Sequence, residues 1–393
     1  MDLLHGFYGI VGRKSLARLE REIKEYFGKK HVCLVSSGKA ALFLILSGLE
    51  RLTGKKKVII PAYTCFSVPS AVRMAGLEIV LCDIRPETLD YDYKQLKRLL
   101  DDDTLCILST HLFGIPSDVA KTRSLIGDKR IFIVEDAAQA MGGSDDGHKL
   151  GTVGDVGFFS LGRGKNITCG SGGVIITSSE EIADSIRKDY SNLEKVPTIE
   201  YLKLIVGNIF LAFFIRPAWY WFPKNLPFLK IGETRFYWAF PVKKMAGFQA
   251  GLLHRWRLKL EMFNRNRSNI GEYYIEVFQL SGKMPIYDNG IPYNRFPMYV
   301  ENKKIKDVLC NIGNVYGISP MYPSPIHEIN EIKENFKNMN FGYSEIIAET
   351  LVTLPTHSLL NRKDLENIRE IVHEYIEHEP IDDQAMERKV ECL

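Results

Sequence analysis

The 393-residue chain reads as an α/β protein, a mainly parallel sheet flanked by helices and followed by a smaller C-terminal α+β domain. Three observations predict this. Short apolar strands rich in β-branched residues alternate with helical stretches, the chemically unusual residues fall where strands end, and after about residue 243 the alternation gives way to a long polar helix and short strands.

The elements follow in order. "SLARLEREIKEYF" spaces apolar residues at helical intervals from Ser15 to Phe27, and Gly28 closes that helix. A strand in "HVCLVSS" runs directly into the helix "KAALFLILSGL" after Gly38. Strand "KVIIPAY", helix "SVPSAVRMAG", strand "EIVLCDI", a helix from Lys94 to Leu100, and the strands "LCILST" and "RIFIVED" around another helix continue the pattern. Repeats of this kind bury both faces of a parallel sheet, whose ligands bind where strands end and helices begin. Beyond Lys243, "GFQAGLLHRWRLKLEMFNRNRSNIGEYY" reads as one long helix, and "RKDLENIREIVHEYI" as the last one. The arginines of the long helix read either as reaching a substrate diphosphate or as a solvated face, the commoner case. We therefore expect a large domain over 1–243, a small domain over 244–378 and a flexible tail over 379–393.

Composition excludes several function classes. With 45% hydrophobic and 25% charged residues the chain is globular, and 51 basic against 48 acidic residues give a net charge of only +3, so no nucleic-acid partner is expected. Seven cysteines stand singly, without a CxxC pair or a histidine at zinc spacing, which predicts no metal site and a reducing cytoplasm. The opening residues turn charged within a dozen positions, so no secretory signal is expected.

One segment departs from this picture. "LIVGNIFLAFFI" (residues 204–215), followed by Arg216, Pro217 and the cluster Trp219, Tyr220, Trp221 and Phe222, is too short to span a bilayer, which takes roughly 20 apolar residues. Residues 202–222 read either as a peripheral membrane contact or as a helix buried in a dimer.

The chemistry centres on "FFSLGRGKNITCGSGGVII" (residues 158–176), where Lys165 sits among five glycines. Neither "SSGKA" nor "GRGKN" meets the P-loop pattern, and "GRGKNI" lacks the third glycine of a dinucleotide fingerprint. In "VEDAAQA", Glu135 and Asp136 end an apolar strand, where an acid caps the next turn or meets a cation. An acid on a cationic ring nitrogen and a Schiff-base lysine are the two electronic requirements of pyridoxal 5'-phosphate (PLP) enzymes. Asp136 and Lys165, on successive strand ends, suit opposite ends of one such ring. "SSGKAAL" offers a phosphate site, because Gly38 permits close backbone approach and the helix after it presents free N–H groups. Ser160 adds a hydroxyl.

With "EDAAQA", "GTVGDVGFFS" and the lysine before "GSGG" in this order, the chain resembles the DegT/StrS family of fold-type I, PLP-dependent sugar aminotransferases. The resemblance takes in "AGLEIVLCDIRPETLDYD", "THLFGIPSD", "GFQAGLL", "YPSPIH" and "LPTHSLL" as well. It implies that Lys165 forms the internal aldimine and shuttles the proton, and that Asp136 holds the ring nitrogen protonated. Gln139 would bond the ring hydroxyl, Ala138 would touch a ring face, and Gly38, Lys39 and Ser160 would hold the phosphate. His111 and His327 occupy family positions that equally suit packed histidines.

Departures accompany the match. Lys39 replaces the threonine of the phosphate turn; Cys65 stands where a stacking aromatic is common, leaving Tyr63 or Phe66 for that role; "PVKKMAGFQA" offers Val242 and Lys244 in place of an Asn-x-Arg segment for the neighbouring subunit; and Ser171 replaces a glutamate. Relatives with histidine in place of the lysine are dehydratases, whereas this chain keeps Lys165. The resemblance thus implies a cytoplasmic homodimer that moves an amino group from an amino acid, expected to be L-glutamate, to a nucleotide-linked keto-sugar. Two alternatives stand beside it: a lipid-linked or membrane-borne acceptor, and a PLP-binding regulator without catalysis.

Overall fold

The computed structural model describes residues 5–7, 14–194, 196–214, 234–280, 284 and 286–376. Seven strands form the central sheet: β1 (His31–Val35), β2 (Lys57–Pro61), β3 (Glu78–Cys82), β4 (Thr104–Thr110), β5 (Phe132–Asp136), β6 (Val156–Ser160) and β7 (Gly173–Thr177). Their order is β1-β7-β6-β5-β4-β2-β3. β6, β5, β4, β2 and β3 are parallel, as the strand-helix alternation predicts, while β7 runs antiparallel between β6 and β1. β4 is buried at all seven positions, as expected of a central parallel strand.

Alternation along each strand divides the apolar side chains between the two faces. Val58, Ile60, Leu108, Val134 and Phe158 join the core under helices α1 (Gly38–Thr53) and α2 (Ser67–Met74). Ile59, Ile107 and Ile133 point the other way, into a core shared with Ile270, Phe296, Leu351 and Val372 from the C-terminal part of the chain. Phe159, Val174 and Ile176 form a third cluster with the N-terminal helix Lys14–Phe27, whose end is Gly28 at φ 63°. At Gly38, the first residue of α1, a Cβ would lie 2.9 Å from Cβ of Ser160, so only glycine lets the helix start against β6.

The long helix of the sequence reading is two helices. Arg255 adopts a left-handed conformation (φ 54°) between Gly247–Leu252 and α3 (Trp256–Val277). The break turns Trp256 into the core, where its Nε1 donates to Glu22 at 2.9 Å. The C-terminal part adds a two-stranded sheet, Phe296–Tyr299 with Leu351–Leu354, and three helices, Lys303–Ile312, α4 (Gly342–Thr350) and Arg362–Ile376. The apolar segment begins as helix α5 (Thr198–Phe214), while Arg216 to Phe222 and the expected tail from 379 lie outside the described residues. No helix among the described residues is long and apolar enough to cross a membrane.

Asp83, at the end of β3, joins the two parts of the chain. Its carboxylate accepts from the N–H groups of Tyr343 (3.0 Å) and Ser344 (2.8 Å) and from the Ser344 hydroxyl (2.5 Å), which places an acid on the N-terminal end of α4. Asp83→Ala strands these buried donors and is expected to lower stability by about 3 kcal/mol, with Asp83→Asn recovering part of it; denaturant unfolding of the three proteins measures the difference.

Candidate active site

The C-terminal ends of the parallel strands open onto a cleft of about 590 Å³ lined by Gly38, Lys39, Thr64, Cys65, Ser67, Thr110, His111, Asp136, Ala138, Gln139, Ser160, Lys165 and Tyr322, among others. All seven residues expected to hold the cofactor are in this lining. Register explains the convergence: Asp136, the last residue of β5, pairs with Thr110, the last of β4, and with Phe158 on β6, which runs on past it to Ser160.

Adjacent acids at the end of β5 point to opposite sides and are satisfied differently. Glu135 is fully buried and accepts from His111 Nε2 (3.0 Å), the Gly151 N–H (2.8 Å) and the Gly154 N–H. The Ser117 N–H donates to His111 Nδ1 at 3.0 Å, which fixes His111 as the neutral tautomer with its proton on Nε2, toward Glu135. Burial alone would push the Glu135 carboxyl up; the hydrogen bonds from His111, Gly154 and Gly151 outweigh it and hold the group below its ordinary value. His111 is therefore the packed, satisfied histidine of the two readings.

Asp136 is 7% exposed and accepts one hydrogen bond, from the Ala138 N–H to Oδ1 at 3.0 Å. Among the described residues its Oδ2 has no donor. Burial pushes this carboxyl up, against the Ala138 hydrogen bond and the charge of Lys165. An acid in that state is stabilised by a further cationic donor.

Lys165 is half-buried, and among the described residues its ammonium has no ion-pair or hydrogen-bond partner. Its loop is held from behind. Arg267 on α3 donates to the carbonyls of Lys165 and Asn166, both at 3.3 Å, and Asn294 Nδ2 donates to the Gly164 carbonyl at 3.1 Å. Only 7% exposed, Arg267 is pushed down to about 10 by burial. The expectation of a solvated arginine face thus fails at this position, because the helix turns Arg267 toward the lysine loop.

The Gln139 amide is fixed by the Phe113 N–H on Oε1 (2.7 Å) and by its own donation to the Tyr322 hydroxyl (3.0 Å), leaving one N–H uncommitted. At the other end of the cleft, Ser37 caps α1 through the Ala40 N–H, so the Gly38 and Lys39 N–H groups lack an intrahelical acceptor. Lys39 Nζ lies 4.4 Å from the Tyr237 ring centre and 4.8 Å from that of Phe240, and burial pushes its pKa down.

Of the three stacking candidates, only Cys65 lines the cleft. Tyr63 is fully buried and meets Tyr322 edge-on at 5.3 Å, and Phe66 packs in the core under α2, while Thr64, Cys65 and Ser67 of the same turn line the cleft. Neither His327 nor Lys244 reaches this cleft. His327 Nε2 pairs with Glu345 at 3.1 Å, and Lys244 Nζ donates to the Ser191 carbonyl at 3.0 Å. Sequence reasoning missed Thr64, which directly follows "KVIIPAY" and whose buried hydroxyl has no partner among the described residues; Tyr322, which opens "YPSPIH"; and Arg267.

Residues 4–207 match the model of the DegT/DnrJ/EryC1/StrS aminotransferase family, more than half of the chain. The chain belongs to this family. It is 33% identical over 171 residues to a GDP-perosamine synthase of Vibrio cholerae, a match that spans 44% of this chain and 46% of that relative. It is 24% identical over 373 residues to the spore coat polysaccharide biosynthesis protein SpsC of Bacillus subtilis, spanning 92% and 90%. Among solved structures, the E. coli GDP-4-keto-6-deoxy-D-mannose-3-dehydratase with bound hydrated PLP superposes with a TM-score of 0.69 over 91% of each chain at 21% identity, a likeness of fold.

A pH dependence follows from Glu135. A carboxyl held below its ordinary 4.5 in the fold stabilises the protein above that value, and the contribution fades as pH falls through the lower, folded value. Glu135→Gln is expected to lose about 3 kcal/mol at neutral pH, because its amide N–H meets the glycine N–H groups. Its stability is also expected to fall less steeply than the parent's below pH 4.5, as denaturant unfolding across acidic pH reads directly.

Proposed function

We propose that the chain is a PLP-dependent aminotransferase that carries an amino group from an amino acid, with L-glutamate as the expected donor, to a nucleotide-linked keto-sugar. The observation that carries the reading is the pairing, in one cleft, of a lysine and a buried acid oxygen, Asp136 Oδ2, neither of which has a hydrogen-bond partner among the described residues. The residues fit the cofactor at each of its ends. Asp136 Oδ2 would take the ring N–H, whose positive charge offsets the cost of burying this carboxylate. The uncommitted Gln139 N–H would reach the ring hydroxyl, with Ala138 against a ring face. The Gly38 and Lys39 N–H groups at the start of α1, the Ser160 hydroxyl and the Lys39 ammonium would hold the phosphate.

Bound PLP supplies an electron-withdrawing ring that accepts the electron pair freed when a C–H bond beside the amino nitrogen is broken. Lys165 Nζ would hold the cofactor covalently and, as a free amine, would accept and return the proton. Arg267 and Asn294, which grip the backbone of Gly164, Lys165 and Asn166, keep the amine's reach short. The acceptor class follows from the family and from relatives named for GDP-sugar chemistry. A homodimer is part of this proposal, with Lys244 and His327 facing away from the cleft of their own chain, and so is the division into domains near residue 243.

Borohydride treatment followed by peptide mapping is expected to leave a stable pyridoxyl adduct on Lys165 and none in Lys165→Ala, which still retains cofactor on gel filtration. L-Glutamate alone is expected to change the near-visible absorbance band of the parent; an unmoved band points to another donor or to a regulator without catalysis. Asp136→Asn is expected to bind PLP and lose about 10²–10³-fold in turnover, measured as glutamate-dependent amination of a nucleotide keto-sugar.

A further inference from the structure

Helix α5 has two unlike faces. Ile205 is buried, Asn208 packs on Gly170 beside the lysine loop, and the Tyr201 hydroxyl accepts from the Phe248 N–H at 3.0 Å. On the other side Ile199, Leu202 and Val206, spaced by three and four residues, form one stripe that is 62%, 55% and 57% exposed. The only acid of the helix, Glu200, is neutralised by Lys243 at 2.5 Å, and Lys203 is exposed next to the stripe.

Sequence continues the theme beyond the helix. From 201 to 232 there are four cations (Lys203, Arg216, Lys224 and Lys230), no aspartate or glutamate, and nine aromatic residues, including Trp219 and Trp221. Further along the chain, Tyr237 and Trp238 are 45% and 56% exposed. Tryptophan and phenylalanine interleaved with lysine and arginine match the headgroup zone of an anionic bilayer, where rings lie at the boundary and cations meet lipid phosphates. A second protein chain covering the stripe would instead need acids to meet these cations, since interface cores are depleted in unpaired charge.

We propose that the exposed face of α5 is a contact for an anionic lipid surface, on which the enzyme lies without crossing it. At 17 residues the helix falls short of a span, which takes roughly 20.

The experiment is flotation of the full chain with vesicles of phosphatidylcholine plus phosphatidylglycerol, against vesicles of phosphatidylcholine alone, with light scattering to give the mass in solution. The protein is expected to float with the anionic vesicles, less so at high salt, and L202E/V206E is expected to lower the bound fraction about tenfold. L202S/V206S, a milder change at the same exposed positions, is expected to fall between them, and far-UV circular dichroism checks that both variants fold. Failure to float with either vesicle, or flotation unchanged in L202E/V206E, overturns the proposal. Conversion of a dimer to a monomer by L202E/V206E also overturns it and assigns the face to a second copy of the chain. Flotation reads no turnover, so its outcome is separate from that of the cofactor reading.

Discussion

The structure turns on two neighbouring carboxylates at the buried end of one parallel strand. A strand sends adjacent side chains to opposite sides, so Glu135 and Asp136 meet different surroundings although they share a backbone. Glu135 is enclosed by three donors and locks His111, the turn after β4 and the glycine loop at Gly151 and Gly154 into one unit. Asp136 has a single backbone donor and the nearby charge of Lys165. One acid is complete and holds the fold; its neighbour is incomplete and faces the cleft.

The rest of the site is arranged around that incompleteness. β4 and β5 end side by side, β6 runs on past them to Ser160, the lysine loop follows β6, and α1 begins against Ser160 because Gly38 has no side chain to prevent it. The loop is glycine-rich and would be loose by itself. Arg267 and Asn294 restrain it by gripping backbone carbonyls, which leaves the Lys165 side chain free to move while its anchor stays put. Both restraints come from parts of the chain more than 100 residues away, so the C-terminal region contributes to the site through support rather than through the reacting atoms.

The order of elements was legible in the sequence because each depends on local periodicity: strand-helix alternation, the glycine that closes the first helix, and the apolar runs of the sheet. The residues of the cleft were legible for a related reason, since strand ends and the turn after them are marked by residues that a plain core strand does not tolerate. Where reading failed, the cause was non-local. The break at Arg255 lies inside a pattern that is helical on both sides, and what rewards it is the burial of Trp256 against the first helix. Tyr63, Cys65 and Phe66 could not be ranked as cleft neighbours by residue type, because the turn after β2 decides which of them faces inward.

By itself, then, the sequence determined the layered α/β class, the mainly parallel sheet, the family and the residues with chemistry to offer, all of which follow from spacing and residue type. Tertiary structure alone decided that Glu135 is spent on His111 while Asp136 keeps an open oxygen, that Arg267 is buried behind the lysine loop, and that α5 turns an apolar stripe outward. Each of these depends on which distant segment packs against a side chain, and that is set by how the sheet and the helices pack together rather than by any local pattern.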